Sequence, residues 1–235
     1  MVQKQIYPDR ILIFGDSILK GVRYEDGAYR VDHSWQTLFS ERFKIPVENF
    51  SRFGNTIGKA MQALRRSCTL HAGGKEIALL ELGGNDCDYN WSEISDNPEG
   101  IYHCRTVPEQ FSASYREAIS LLRESGREPV VLTLPPIHSE RYLDFICSRG
   151  PSRNNLLKWL GKASEIAMWQ KTYSCLVRQI AREEGVRLID LRGRFPAEET
   201  ALEGLLGPDG IHPSAEGQKL IFETLCEDAR QVFGA

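Results

Sequence analysis

The sequence predicts an α/β protein built on a parallel sheet with helices on both faces, and three observations predict it. Short apolar runs recur five times, at 10–14, 46–50, 76–82, 129–134 and 186–191, each bounded by glycine, proline or polar turn residues. Such runs suit strands covered on both faces, which need no polar alternation. Each run is followed by a helix or a helix-like apolar pattern, and that alternation closes as parallel strands joined by right-handed crossovers. The polar motifs fall just after the runs or before the last helix, at the edge where an open α/β sheet collects its chemistry.

The elements follow in order. The first run, Ile11 to Phe14, ends abruptly in Gly15-Asp16-Ser17, with a second glycine at Gly21. Gly27 marks loop character, and His33 to Phe43 carries Trp35, Leu38, Phe39 and Phe43 at the spacing of a short amphipathic helix. Pro46 to Phe50 reads as a short strand and Ser51 to Asn55 as a turn. Thr56 caps a helix whose apolar stripe is Ile57, Ala60, Met61, Leu64 and Cys68. The strand over 76–82 runs into Gly83-Gly84-Asn85-Asp86. Residues 87–107 have no clear period and read as a long loop, of the kind that more often binds or covers than merely connects. A helix then starts near Pro108, with Phe111, Tyr115, Ala118, Ile119 and Leu122 on one face. The strand over 129–134 stops at Pro135-Pro136. Residues 137–164 form a second long insertion, rich in arginine and aromatics, with one short helix expected around 156–160. A long helix over about 164–184 precedes the last strand, and Pro213 suits the first turn of a final helix. No internal repeat or linker composition divides residues 1–235, so a single domain with insertions at about 87–107 and 137–164 is expected.

Composition narrows the function. Lys plus Arg number 29 against 32 Asp plus Glu, a net charge of -3, which supplies no basic field for nucleic acid. The longest apolar runs are strand-sized, so no membrane span is expected. No apolar h-region precedes the first strand, which points to a cytoplasmic protein. The six cysteines, at 68, 87, 104, 147, 175 and 226, lack zinc-type pairing and read as reduced thiols. Cys87 and Cys104 flank a loop and could close it only in an oxidising compartment. There is no Gly-x-Gly-x-x-Gly and no Walker loop, so neither a dinucleotide nor a phosphate-loop cofactor is expected, and no metal cluster stands out.

What remains is a kit for acyl transfer. A nucleophilic serine needs a base within reach and a carboxylate to orient that base. The sequence offers Ser17, Asp209 and His212 in that order, the last two separated by a Gly-Ile pair that permits a tight turn. Fixed donors must also stabilise the oxyanion, and the Ser17 N–H, the Gly54 N–H and the Asn85 amide are the candidates. Each residue has a plain alternative: Asp209-Gly210 as a turn, His212-Pro213 as a helix start, Asn85-Asp86 as an Asx turn and Gly54 as a turn glycine. Their joint occurrence at strand ends is what singles them out.

At Gly15-Asp16-Ser17, Gly54, Gly83-Gly84-Asn85-Asp86 and Asp209-Gly210-Ile211-His212 the sequence resembles the SGNH hydrolases, also called the GDSL esterase/lipase family. The resemblance implies Ser17 as nucleophile, Gly54 and Asn85 as oxyanion donors, and Asp209 with His212 completing the triad. It also implies a flavodoxin-like three-layer α/β/α sandwich with a five-stranded parallel sheet. The family's usual Gly-Asp-Ser-Leu is Gly-Asp-Ser-Ile18 here, a similar apolar anchor. The expected substrate is a small ester, of a short acyl group, as in O-acetylated carbohydrates or metabolites. A lipase or acyl-thioesterase of the same fold and a non-catalytic acyl-ligand binder are the alternatives. Tyr89, Trp91 and Tyr102 supply stacking surface for substrate; Arg141, Arg149 and Arg153 are candidates to meet a carboxylate or phosphate, with a solvated loop as the plainer and favoured reading. Asp16 is placed among the substrate-facing candidates and reads chiefly as a structural carboxylate bonding loop N–H groups. His103 in the first insertion stands as a surface histidine within reach of substrate, and the aromatics of 137–164 would also serve a homo-oligomer interface.

Overall fold

The computed structural model describes residues 7–233. In chain order the elements are β1 (Arg10–Gly15), α1 (Ser17–Lys20), β2 (Val22–Glu25), β3 (Ala28–Val31), α2 (Ser34–Phe43), β4 (Val47–Asn49), α3 (Ile57–Ser67) and β5 (Glu76–Glu81). They continue with α4 (Trp91–Asp96), α5 (Pro108–Glu124), β6 (Arg127–Leu132), α6 (Ser139–Cys147), α7 (Arg153–Leu160), α8 (Ser164–Glu183), β7 (Arg187–Ile189) and α9 (Ala215–Phe233). Five strands form one parallel sheet in the order β4-β1-β5-β6-β7. Numbered within the sheet this is 2-1-3-4-5, the flavodoxin-like order, in which the chain reverses direction of winding between β1 and its neighbour β5.

The pleat sorts the core into two layers. Leu12, Phe14, Ala78, Leu80 and Val131 face α3, α5 and α8, where Ile57, Leu64, Phe111, Tyr115, Tyr173 and Val177 are buried. Ile11, Ile13, Ile77, Leu79, Val130 and Leu132 face the other way, against Phe39 and Phe43 of α2 and Ile221 and Leu225 of α9. Burying a side chain of this size contributes about 1.5–3 kcal/mol, so both faces of each central strand stabilise the fold and neither tolerates polar alternation.

A third apolar cluster lies over the carboxyl edge of the sheet. It joins Trp91 and Ile94 of α4, Leu143 and Ile146 of α6, Leu156 of α7 and Ile166 of α8. Three sequence expectations are corrected here. The 22–31 stretch around Gly27 is a β-hairpin, with Glu25 paired to Ala28 across Asp26-Gly27. Both turn residues have positive φ, 51° and 76°, as a two-residue hairpin loop requires. Residues 87–107 contain α4, and 137–164 holds two helices, α6 and α7, rather than one short helix. Each buries only one or two apolar side chains, Trp91 and Ile94 in α4, Leu143 and Ile146 in α6 and Leu156 in α7, so periodicity alone does not reveal them.

Candidate active site

Three strand-end loops meet at the β1/β5 reversal. β1 delivers Ser17 at the first position of α1. Asp16 caps that short helix, its Oδ1 accepting from the Ile18 N–H at 2.9 Å. The loop after β4 brings Gly54, and the loop after β5 brings Asn85. Hydrogen bonds brace these loops against one another. Asn55 Nδ2 donates to the Gly15 carbonyl at 3.0 Å, and Asn85 Nδ2 donates to Asp16 Oδ2 at 3.1 Å. Asp86 accepts the Ile57 N–H with both oxygens, each at 3.1 Å, so the β5 loop caps the helix that follows Gly54. Burial pushes the Asp86 carboxyl up to about 6, opposed by its hydrogen bonds to Thr106 and Ile57.

An imidazole and a carboxylate come from the other end of the chain. His212 Nε2 lies 2.9 Å from Ser17 Oγ, and His212 Nδ1 lies 2.6 Å from Asp209 Oδ2. Asp209 Oδ1 accepts the N–H groups of Ile211 and His212, at 3.3 and 3.1 Å. The carboxylate is completely buried and fully committed, while Ser17 keeps 7% exposure at the cavity floor. With Nδ1–H donated to Asp209, Nε2 is left to accept the serine proton. Gly210 makes the turn possible: its φ is +74°, and a Cβ there would lie 2.6 Å from the Tyr142 N and 2.7 Å from the His138 carbonyl. The Gly210 carbonyl accepts the His138 N–H at 2.8 Å, docking the loop on the start of α6.

Ser17, Gly54, Asn85 and His212 line one cavity of about 430 Å³. Neither the Ser17 nor the Gly54 N–H donates to another group among the described residues. The second Asn85 amide hydrogen is also uncommitted, because the first goes to Asp16. The arrangement can therefore activate a hydroxyl and stabilise an oxyanion formed beside it.

Tyr89 and Trp91 line this cavity. Tyr89 packs edge-on against Trp91 at 5.7 Å and Trp159 at 5.1 Å. Asp88 fixes that wall, accepting Trp91 Nε1 and the Tyr142 hydroxyl, each at 2.8 Å. Two expectations are corrected. Tyr102 lies outside the cavity, its hydroxyl donating to the Asn97 carbonyl at 2.6 Å behind Trp159. Arg141 turns away as well, bonding the carbonyls of Glu203 and Leu206 at 3.0 and 3.2 Å and so bracing the approach to Asp209. Asp16 reaches the cavity floor, yet both its oxygens are occupied by Ile18 and Asn85, which fits the structural carboxylate.

Sequence reasoning missed three contributors. Tyr29 of β3 stands edge-on to the His212 ring at 5.3 Å, and Phe53 stacks on it at 5.8 Å. The signal for the first was Asp26-Gly27 between Tyr24 and Tyr29, a hairpin turn flanked by aromatics. Burial and the nearby Asp209 carboxylate push the Tyr29 phenol up to about 12, so it stays neutral beside the base. The third is Glu81, the last residue of β5, 1% exposed and with neither carboxylate oxygen in a hydrogen bond of normal geometry. Its nearest polar neighbours are the Asp16 carboxylate and the N–H groups of Asp16 and Leu19. Burial and the Asp16 charge hold the Glu81 carboxyl well above the usual carboxylate range, and burial raises Asp16 too. Its signal was a glutamate closing an otherwise apolar strand.

Residues 13–220 match the model of the GDSL-like lipase/acylhydrolase family. The chain belongs to that family. Its GDSL-type hydrolase fold is shared with a lipase/acylhydrolase from Enterococcus faecalis, at TM-score 0.63 and 17% identity over 96% of this chain and 95% of that one. An acetylxylan esterase from Geobacillus stearothermophilus, seen as a catalytic mutant, aligns at TM-score 0.63 and 16% identity over 96% of both chains. The acetyl xylan esterase AlAXEase aligns at TM-score 0.60 and 20% identity over 93% of this chain and 98% of that one. No curated protein matches by sequence. As a GDSL-type hydrolase the chain is an enzyme of the ester-cleaving class. Among its described residues no helix is long and apolar enough to cross a membrane, and no group of three His, Cys, Asp or Glu side chains is placed to hold a metal.

Proposed function

We propose that this GDSL-type hydrolase is a serine esterase that removes short acyl groups, acetyl above all, from a sugar or small metabolite. The observation that carries the proposal is the unbroken Ser17–His212–Asp209 hydrogen-bond chain, at 2.9 and 2.6 Å, opening on a cavity lined by unused N–H donors. In this reading Ser17 Oγ attacks the ester carbonyl as His212 Nε2 takes its proton. Asp209 holds the ring and stabilises the imidazolium. The negative oxygen settles among the Ser17 N–H, the Gly54 N–H and the Asn85 amide. His212 then protonates the leaving alcohol, and water repeats the sequence on the acyl-enzyme to free the acid and restore Ser17.

The short acyl preference is supported by the cavity's end wall. Tyr89, Trp91 and Trp159 pack edge to edge, and the half-buried Asp88 holds Trp91 by its ring N–H, so the wall does not yield to a long chain. Aromatic faces of this kind also stack on sugar rings. The similarity in fold to two acetylxylan esterases agrees with such a substrate.

The test is a set of para-nitrophenyl esters from acetate to palmitate, with acetylated sugars, on wild type and Ser17→Ala. Activity should be greatest on acetate and lost in the variant. A maximum at palmitate would reject the short-chain reading. A folded wild type whose Ser17 resists an organophosphonate would reject the catalytic one.

A further inference from the structure

We infer that Arg149 forms an anion subsite beside the catalytic cavity, so that the substrate carries a carboxylate or phosphate apart from its ester. The inference rests on the esterase reading above and names the substrate class for it. A second cavity of about 630 Å³ adjoins the first, and Tyr89, Trp91, Arg105, Tyr142 and Phe145 line both. The second cavity adds His103 and Arg149 to its lining and no carboxylate.

The arginines of the two insertions differ in what they already hold. Arg105 is bonded to Asp88 at 2.9 Å. Arg141 is spent on two carbonyls and lies 3.9 Å from Glu203. Arg153 pairs with both Glu140 and Asp144. Arg149 has no carboxylate partner among the described residues. One of its N–H groups reaches the Phe145 carbonyl at 3.4 Å, and its guanidinium lies 3.5 Å over the Phe145 ring. Stacking fixes the plane of the guanidinium while leaving its N–H edge free, which is the preorganised state for a bidentate anion.

The position connects this charge to the chemistry. Phe145 packs against Tyr24 at 5.1 Å and Tyr29 at 6.5 Å, and Tyr29 packs against the His212 ring. A run of rings thus leads from the guanidinium to the base. A small substrate with its ester at Ser17 and its ring on the aromatic wall can place an acidic group at Arg149. Acetylated acidic or phosphorylated sugars have this form.

The experiment compares phenyl phosphate, phenylacetate and neutral benzyl alcohol as competitive inhibitors of para-nitrophenyl acetate hydrolysis. At least one anion should inhibit wild type about tenfold or more better than benzyl alcohol, as a charge-assisted hydrogen bond requires. Which anion it is distinguishes phosphate from carboxylate. In Arg149→Met, which keeps the stacking length, the ratio should fall towards one, and Arg149→Lys should keep part of it. Equal inhibition by all three, or an anion preference unchanged in Arg149→Met, would overturn the inference. If no ester is hydrolysed, quenching of Trp91 and Trp159 fluorescence by the same compounds still reads the subsite. The two proposals therefore fail separately.

Discussion

Replacing Asn85 by alanine tests the oxyanion site most directly. One Asn85 amide hydrogen is committed to Asp16 Oδ2 at 3.1 Å, and Asp16 is itself held by the Ile18 N–H at 2.9 Å. The amide is therefore oriented before substrate arrives, and in the proposed mechanism its second hydrogen is one of three donors to the developing oxyanion. Losing one preorganised donor costs about 3 kcal/mol of transition-state stabilisation, or roughly 10² in kcat. KM should move little, because the neutral carbonyl of the bound ester uses this donor weakly. Folding should lose about 1 kcal/mol, the worth of the single bond to Asp16. Steady-state hydrolysis of para-nitrophenyl acetate gives kcat and KM separately, and thermal unfolding measures the stability. A folded Asn85→Ala protein with kcat within about threefold of wild type would refute the reasoning, since an effect that small cannot be a lost oxyanion donor.

Two further outcomes concern the scaffold under the site. The folded Glu81 carboxyl titrates well above its ordinary value through burial and the Asp16 charge, so above about pH 4.5 the unfolded chain binds fewer protons than the folded one. Wild-type stability therefore falls as pH rises, by up to about 1.4 kcal/mol per unit from this group, until the folded carboxyl ionises. Glu81→Gln should lack that slope, and denaturant titrations at about pH 5 and pH 7 should show its stability advantage growing with pH; a pH-independent difference would count against a neutral buried Glu81. Gly210→Ala should lose more than about 2 kcal/mol, from positive φ and the backbone clash at Tyr142 and His138, and should lose activity with it. Gly185→Ala, at φ +60° with open space around its Cβ, should cost only about 1 kcal/mol and leave kcat alone.

The five sheet strands and the helices α2, α3, α5, α8 and α9 were legible because burial imposes a pattern on them. Ile11 to Phe14 and Ile77 to Leu80 are apolar throughout since both faces are covered. The site motifs were legible because the proposed chemistry needs particular residues at strand ends, and the structure brings Ser17, Gly54, Asn85 and His212 to one cavity, with Asp209 buried behind the His212 ring. Side-chain direction was not legible. Arg141 and Arg149 are both arginines of the second insertion, yet one braces backbone carbonyls and the other stacks on Phe145 with its edge free. That difference is decided by the packing of α6, whose apolar stripe of Leu143 and Ile146 becomes visible only once α4 and α7 are laid against it. Tyr102 was misplaced for the same reason: Asn97, five residues back, captures its hydroxyl.

Ser17 and His212 are separated by 195 positions in the chain. On the proposed mechanism, a chain with only its first half folded holds the Ser17 hydroxyl with no proton acceptor beside it and cleaves nothing. Turnover by that route requires the segment before α9 to be seated on the sheet edge that carries Ser17. Turnover of a simple ester then serves as a gauge of complete folding, more demanding than any spectroscopic measure of helix content.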